Sequence, residues 1–86
     1  MPCVSRFYGI DVYMYYNDHA PPHFHAEYAE HEVLIEIGTL GILQGKLPRR
    51  ALANVLEWAS LHRSEILHNW NLARMGVPLL DIDPLE

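Results

Sequence analysis

The sequence predicts one small α+β domain, an antiparallel sheet of three to four strands packed against one long or kinked C-terminal helix that can break into two. Three observations predict it. Apolar residues alternate with a period of two through residues 10–37, they recur at helical spacing through 52–73, and Pro48 marks the switch between the two patterns. At 86 residues, half of them hydrophobic and a fifth charged, the chain has apolar content for one core and too little length for a second. The expected layout is a single domain over 1–86, with a sheet over about 4–47, a helical part over about 48–75 and an extended tail over 77–86.

The first strand is read from Ile10 to Tyr16, where Ile10, Val12, Met14 and Tyr16 share one side and Asp11, Tyr13 and Tyr15 the other. Phe7-Tyr8-Gly9 before it is a short strand or a lead-in, with Gly9 suited to a bulge. Asn17 to Pro22 is dense in turn formers, and two consecutive prolines cannot donate to a ladder, so the chain leaves the sheet there.

His23–Tyr28 and His31–Ile37 alternate again and form a hairpin if Ala29-Glu30 is a two-residue turn. That register sets Ala26 opposite Val33, Phe24 opposite Ile35, His25 opposite Leu34 and His23 opposite Glu36. Ala-Glu is poor chemistry for a turn that wants positive φ, so a longer loop with a shifted register stays open. Gly38–Gly41 turns the chain, and Ile42–Leu47 reads as a short fourth strand weakened by Gly45. Phe24, Ala26, Val33 and Ile35 are the expected helix-facing set.

Pro48 suits a helix start, and Leu52, Val55, Leu56 and Ala59 follow at helical spacing. The stripe resumes with Ile66, Leu67, Trp70 and Ala73 and stops at Gly76. It loses phase around 60–64, where either a kink or a break fits. Trp58 and Trp70 read as packing residues, His62 and His68 as solvent-facing. The tail reads as an extended segment packing back on the domain, with a partner-docking arm as the alternative.

The formal charge of −5 disfavours nonspecific binding of phosphate backbones, and Lys46, Arg49 and Arg50 form the one basic cluster that a nucleic-acid-binding regulator would use. Cys3 is the lone cysteine, which excludes an intrachain disulfide and a Cys-rich zinc site and suits the cytoplasm. The first residues have neither a basic n-region nor a long apolar run, so neither a signal peptide nor a membrane span is expected.

Six histidines stand out in so short a chain. His19, His23 and His25 fall close together beside Asp18 and Glu27, and alternate strand positions set His23 and His25 side by side. Two imidazoles on one face, with His19 or a cross-strand Glu36, could supply three metal ligands and leave a fourth position for water. No resident cofactor is expected on composition, and a divalent transition metal such as zinc is the one candidate. The competing reading hydrogen-bonds these rings to Glu27, Glu32 or Glu36 on a solvated face. No serine has a nucleophile-elbow context, and no glycine run has phosphate-cradle spacing.

Ser5-Arg6-Phe7-Tyr8-Gly9-Ile10, Asp18-His19-Ala20-Pro21-Pro22-His23-Phe24-His25-Ala26, Gly45-Lys46-Leu47-Pro48, Leu56-Glu57-Trp58-Ala59 and Asn69-Trp70 together resemble a known family. It is the bacterial domain-of-unknown-function family 4160, and Pro-Pro-His-Phe-His-Ala is the most specific element. The resemblance implies a small protein encoded beside another small domain in a toxin–antitoxin-like operon, and it carries over no catalytic residues. The expected function is therefore a non-enzymatic partner-binding or regulatory domain. Its partner is expected to be another small protein or a second copy of the chain. A metal-dependent hydrolase or nuclease on His19, His23 and His25 and a nucleic-acid-binding regulator are the alternatives.

Overall fold

The computed structural model describes residues 2–86. Among them, five strands form one antiparallel meander in the order β1-β2-β3-β4-β5: β1 Cys3–Phe7, β2 Ile10–Tyr13, β3 His23–Tyr28, β4 His31–Glu36 and β5 Ile42–Lys46. Two helices follow, α1 Arg49–Leu61 and α2 Arg63–Arg74. The α+β class holds, with one strand more than the three to four expected.

The additional strand is β1. Its residues pair with β2 from Cys3 opposite Tyr13 to Phe7 opposite Ile10, so Tyr8-Gly9 is a two-residue turn rather than a bulged lead-in. Both turn residues have positive φ, 51° and 78°, the twist that a tight hairpin requires. β2 stops at Tyr13, three residues short of the alternating run. Met14 is still tied to the sheet edge by its N–H, which donates to the Pro2 carbonyl at 3.1 Å, and its side chain is buried.

The β3–β4 register is the one that alternation requires: His23 faces Glu36, Phe24 faces Ile35, His25 faces Leu34 and Ala26 faces Val33. Ala29 accommodates the short turn by adopting φ 52°. In β5, Gly45 has φ 82°, and a Cβ there would lie 2.2 Å from the Glu32 carbonyl oxygen. The ladder shifts register further along β5, where Leu43 is the extra residue between Gln44 and Ile42. Glycine is thus what lets β5 approach β4 closely.

Phe24, Ala26, Val33 and Ile35 are fully buried under the helices, with Phe24 edge-on to Trp58 at 5.8 Å between ring centres. Removing a large aromatic from such a site typically costs about 3–5 kcal/mol, so this sheet-to-helix contact is a principal source of stability. The helical run breaks at His62 (φ −123°, ψ 23°). The His62 ring packs on Trp58 and bonds Glu65 rather than facing solvent freely, whereas His68 is exposed.

The tail packs back on the domain. The Ile82 N–H donates to Val4 O, the Trp58 indole donates to Asp83 O, and buried Asn69 both donates to Leu80 O and accepts from Leu80 N–H. The outer side of β1 therefore receives a backbone bond from the tail, while every residue of β5 at the opposite edge is exposed. No helix among the described residues is long and apolar enough to cross a membrane.

Candidate metal centre at the start of β3

Alternation places His23 and His25 on the β3 face opposite Phe24 and Ala26, with ring centres 5.2 Å apart. Pro21 and Pro22, which cannot donate to a ladder, hold the preceding segment off the sheet. Asn17 takes φ 56°, and the loop folds so that Asp18 returns over the two rings. One oxygen of Asp18, Oδ1, accepts the His19 backbone N–H at 2.9 Å. The other, Oδ2, faces both imidazoles, at 3.0 Å from His23 Nε2 and 3.1 Å from His25 Nε2.

The far nitrogens of both rings are also committed. His23 Nδ1 lies 2.8 Å from the Pro21 carbonyl oxygen, and His25 Nδ1 lies 3.3 Å from Glu32 Oε2. A carbonyl only accepts, so His23 Nδ1 carries the proton, and in a neutral ring Nε2 then presents a lone pair to a carboxylate. His25, flanked by two carboxylates, meets the same conflict.

Two arrangements resolve it. A second proton on each ring would make two imidazoliums that share Asp18 Oδ2, with Glu32 as the second counter-charge beside His25. A single metal ion between His23 Nε2, His25 Nε2 and Asp18 Oδ2 would satisfy every contact with neutral rings. The Nδ1–H groups would then donate to Pro21 O and Glu32, the usual outer-shell support of metal-bound histidine.

The distances decide how much movement the ion would need. With bonds of about 2.0–2.1 Å, a tetrahedral ion holds its ligand atoms about 3.3 Å apart. The two contacts to Oδ2 are 3.0 and 3.1 Å, and all three ligand atoms lie within 4.8 Å of one another. An ion would need the Asp18 contacts to open by a few tenths of an ångström, and would hold the two imidazole nitrogens, which lie within 4.8 Å of one another, at about the same 3.3 Å spacing.

The surroundings hold the cluster in place. His23 is 6% exposed and packs against Trp70 of α2 at 5.3 Å between ring centres, and Tyr15 stands edge-on to His25 at 4.5 Å. Partial burial alone would raise the Asp18 carboxyl. The hydrogen bond from His25, the backbone N–H of His19 and the charges of His23 and His25 outweigh it and hold Asp18 below its ordinary value. Burial, with Glu32 and Glu27 nearby, pushes the Tyr15 phenol up.

Of the three histidines singled out in the sequence, the structure brings two together, and Asp18 joins them as the third member of the candidate ligand group. His19 contributes its backbone, is exposed, and its ring is outside the ligand group. Glu36, the other third ligand considered, accepts instead from Thr39 Oγ1 at 2.9 Å. Lys46, Arg49 and Arg50 are exposed where β5 passes into α1. Arg50 also lines a hollow with Tyr8, Tyr28 and Leu85.

The partner the sequence reading passed over was Trp70, which reaches His23 from a helix 47 positions along the chain, a contact that no local spacing signals. Asp18 did have a signal. An acidic residue in a turn before His-x-His can fold back over the strand, and its nearness to the histidines was visible.

No curated protein and no solved structure matches the chain. Residues 9–71, a span that includes Asp18, His23 and His25, match the family described as a domain of unknown function (DUF4160), and the chain belongs to that family.

Proposed function

We propose that this protein is a non-enzymatic regulatory domain that binds one divalent transition metal, of which zinc is the type, through Asp18, His23 and His25. The observation that carries the reading is the acceptor on each side of both rings, a conflict that one ion removes. Two imidazoles and a carboxylate are a donor set for zinc or a similar borderline ion. Three protein ligands leave a position for water or an exchangeable ligand. Binding would fasten the 17–22 loop to β3 and, through Trp70, to α2, so metal occupancy would be felt in both layers of the fold. The lone Cys3 suits the reducing cytoplasm.

The test is thermal unfolding with and without zinc. A ligand at 100 times its dissociation constant adds about 2.7 kcal/mol, which in a domain of this size raises Tm by roughly 10 °C or more. That rise is expected in the parent chain and absent from a His23→Ala, His25→Ala double variant. Equal behaviour of the two would remove the proposal.

A specific observation also supports partner binding, the regulatory output expected from the sequence. All of β5 is exposed, including Ile42 and Leu43 at 48% and 45%, and it forms the edge of the sheet away from the tail. An incoming strand can pair there. Co-purification with the product of the adjacent gene, lost on Leu43→Lys substitution, tests it.

A further inference from the structure

The face of the sheet turned away from the helices carries a row of charge. Residues paired across antiparallel strands point to the same side, so the register aligns Arg6, Asp11, Glu27, Glu32 and Lys46, one residue from each of the five strands. The signs run plus, minus, minus, minus, plus. Three carboxylates are therefore contiguous at the middle of the sheet, with a cation at each edge.

Directly opposed side chains stand about 5 Å apart at Cβ, and like charges at that spacing destabilise a sheet. The outer two carboxylates are relieved. Arg6 Nε lies 3.2 Å from Asp11 Oδ1, and Glu32 Oε2 lies 3.3 Å from His25 Nδ1. Glu27, between them, has a carboxylate on either side and no cationic side chain within 4.0 Å among the described residues. The sheet thus holds an unrelieved negative centre on a face that no helix covers.

Two tyrosines border it. Tyr13 pairs with His25, two residues from Glu27 on the same face, and Tyr15 stands edge-on to the His25 ring at 4.5 Å between centres. Burial first, then Asp11 and Glu27, pushes the Tyr13 phenol up; burial first, then Glu32 and Glu27, does so for Tyr15. Both rings lie in the field of Glu27. All of Asp11, Tyr13, Tyr15, Glu27 and Leu34 are only half-buried, so the aromatic and apolar parts of this face are open together with the charge.

Arginine is the side chain that answers both features. Its planar fork meets a carboxylate bidentately, its charge relieves the opposed acids, and its flat face stacks on a phenol ring. Lysine supplies the charge alone. A nucleic acid or an anionic lipid surface would be repelled by the same row.

We propose that the outer face of the sheet docks an arginine-bearing segment of a partner protein, with a guanidinium seated on Glu27 and packed beside Tyr13. This surface is distinct from the β5 edge, which offers unpaired backbone, and it does not depend on a bound metal.

The experiment titrates the full chain with a short peptide of alternating arginine and serine, and in a second arm with a lysine–serine peptide of the same length. Amide shifts are followed by NMR at constant ionic strength. Shifts should concentrate in β2, β3 and β4 around Tyr13 and Glu27, and the arginine peptide should bind more tightly than the lysine one. Glu27→Gln, which keeps the shape, should weaken binding roughly tenfold. Asp83→Asn, which removes an exposed charge in the tail, should leave it unchanged. Glu27→Gln should also melt no lower than the parent, because it removes the opposed charges, which separates lost binding from lost fold. Equal weakening by the two variants, shifts spread over the tail carboxylates, or no saturable shift in the parent would overturn the proposal. Equal affinity for the two peptides would overturn the assignment of arginine and, with it, the role of the tyrosines.

Discussion

Asp18 and His23 meet at 3.0 Å through Oδ2 and Nε2, while the other nitrogen of the same ring is held at 2.8 Å by the Pro21 carbonyl. The ring is thus bracketed by acceptors from one six-residue loop. His25 repeats the arrangement with Glu32 in the place of Pro21. Each contact is ordinary alone. The pair sharing one carboxylate oxygen is the geometry on which the proposed metal site rests.

The assignment of Asp18 rather than His19 as third ligand is open to a direct comparison. Asp18→Ala should remove zinc binding by a competing chromophoric chelator, and His19→Ala should leave it unchanged. Glu32→Gln, which keeps the shape and loses the charge behind His25, should weaken binding roughly tenfold. A loss in His19→Ala equal to that in Asp18→Ala would put the histidine back in the ligand set.

The chelator-treated protein should show the Asp18 carboxyl in its acid stability. Its pKa in the fold lies below the ordinary value of 3.8. Its contribution is therefore complete above about pH 4 and fades as pH falls through the folded value. Urea unfolding of the parent and Asp18→Asn should differ at pH 5 and converge as the pH is taken below 3.8. A difference that stays constant across that range would mean that the carboxylate adds nothing through its charge.

Gly45 carries a structural prediction independent of the metal. Its φ of 82° and the Glu32 carbonyl oxygen, into which a Cβ would run, leave no room for a side chain against rigid backbone. Gly45→Ala should cost at least about 2 kcal/mol in chemical unfolding, or displace β5 from β4. Unchanged stability with unchanged amide protection in β5 would contradict this close approach.

Ala29 offers the opposite case. It holds φ 52° in a two-residue turn without being glycine, a conformation that costs an L-residue about 1–2 kcal/mol. Glycine loses more backbone entropy, which offsets part of this, so Ala29→Gly should stabilise by roughly 0.5 kcal/mol. A clear loss of stability would show that the turn does not need the left-handed conformation.

Where the fold was legible, two constraints agreed. In the β3–β4 hairpin, alternation on both strands and the length of the connection select one register, and the structure has it despite an unfavourable turn sequence. β1 was not legible because Cys3–Phe7 is short and follows no clean alternation, and its outer side is steadied by a tail bond nearly eighty residues away. The helix break was visible as lost phase but not as a cap, since the residue at the junction is His62, bonded to Glu65, rather than a serine or threonine. The histidine pair was legible from strand periodicity. The choice between Asp18 and His19 for the third place was not, because the path of a proline-bearing loop decides which of the two turns toward the strand.

The most direct test of the central claim is elemental analysis of the full chain purified without a histidine tag, beside a His23→Ala, His25→Ala double variant. The account predicts close to one equivalent of zinc or a similar divalent metal in the parent and none in the variant. A parent that carries no metal, and takes up none on dialysis against zinc, would contradict it and leave the rings as a hydrogen-bonded cluster around Asp18.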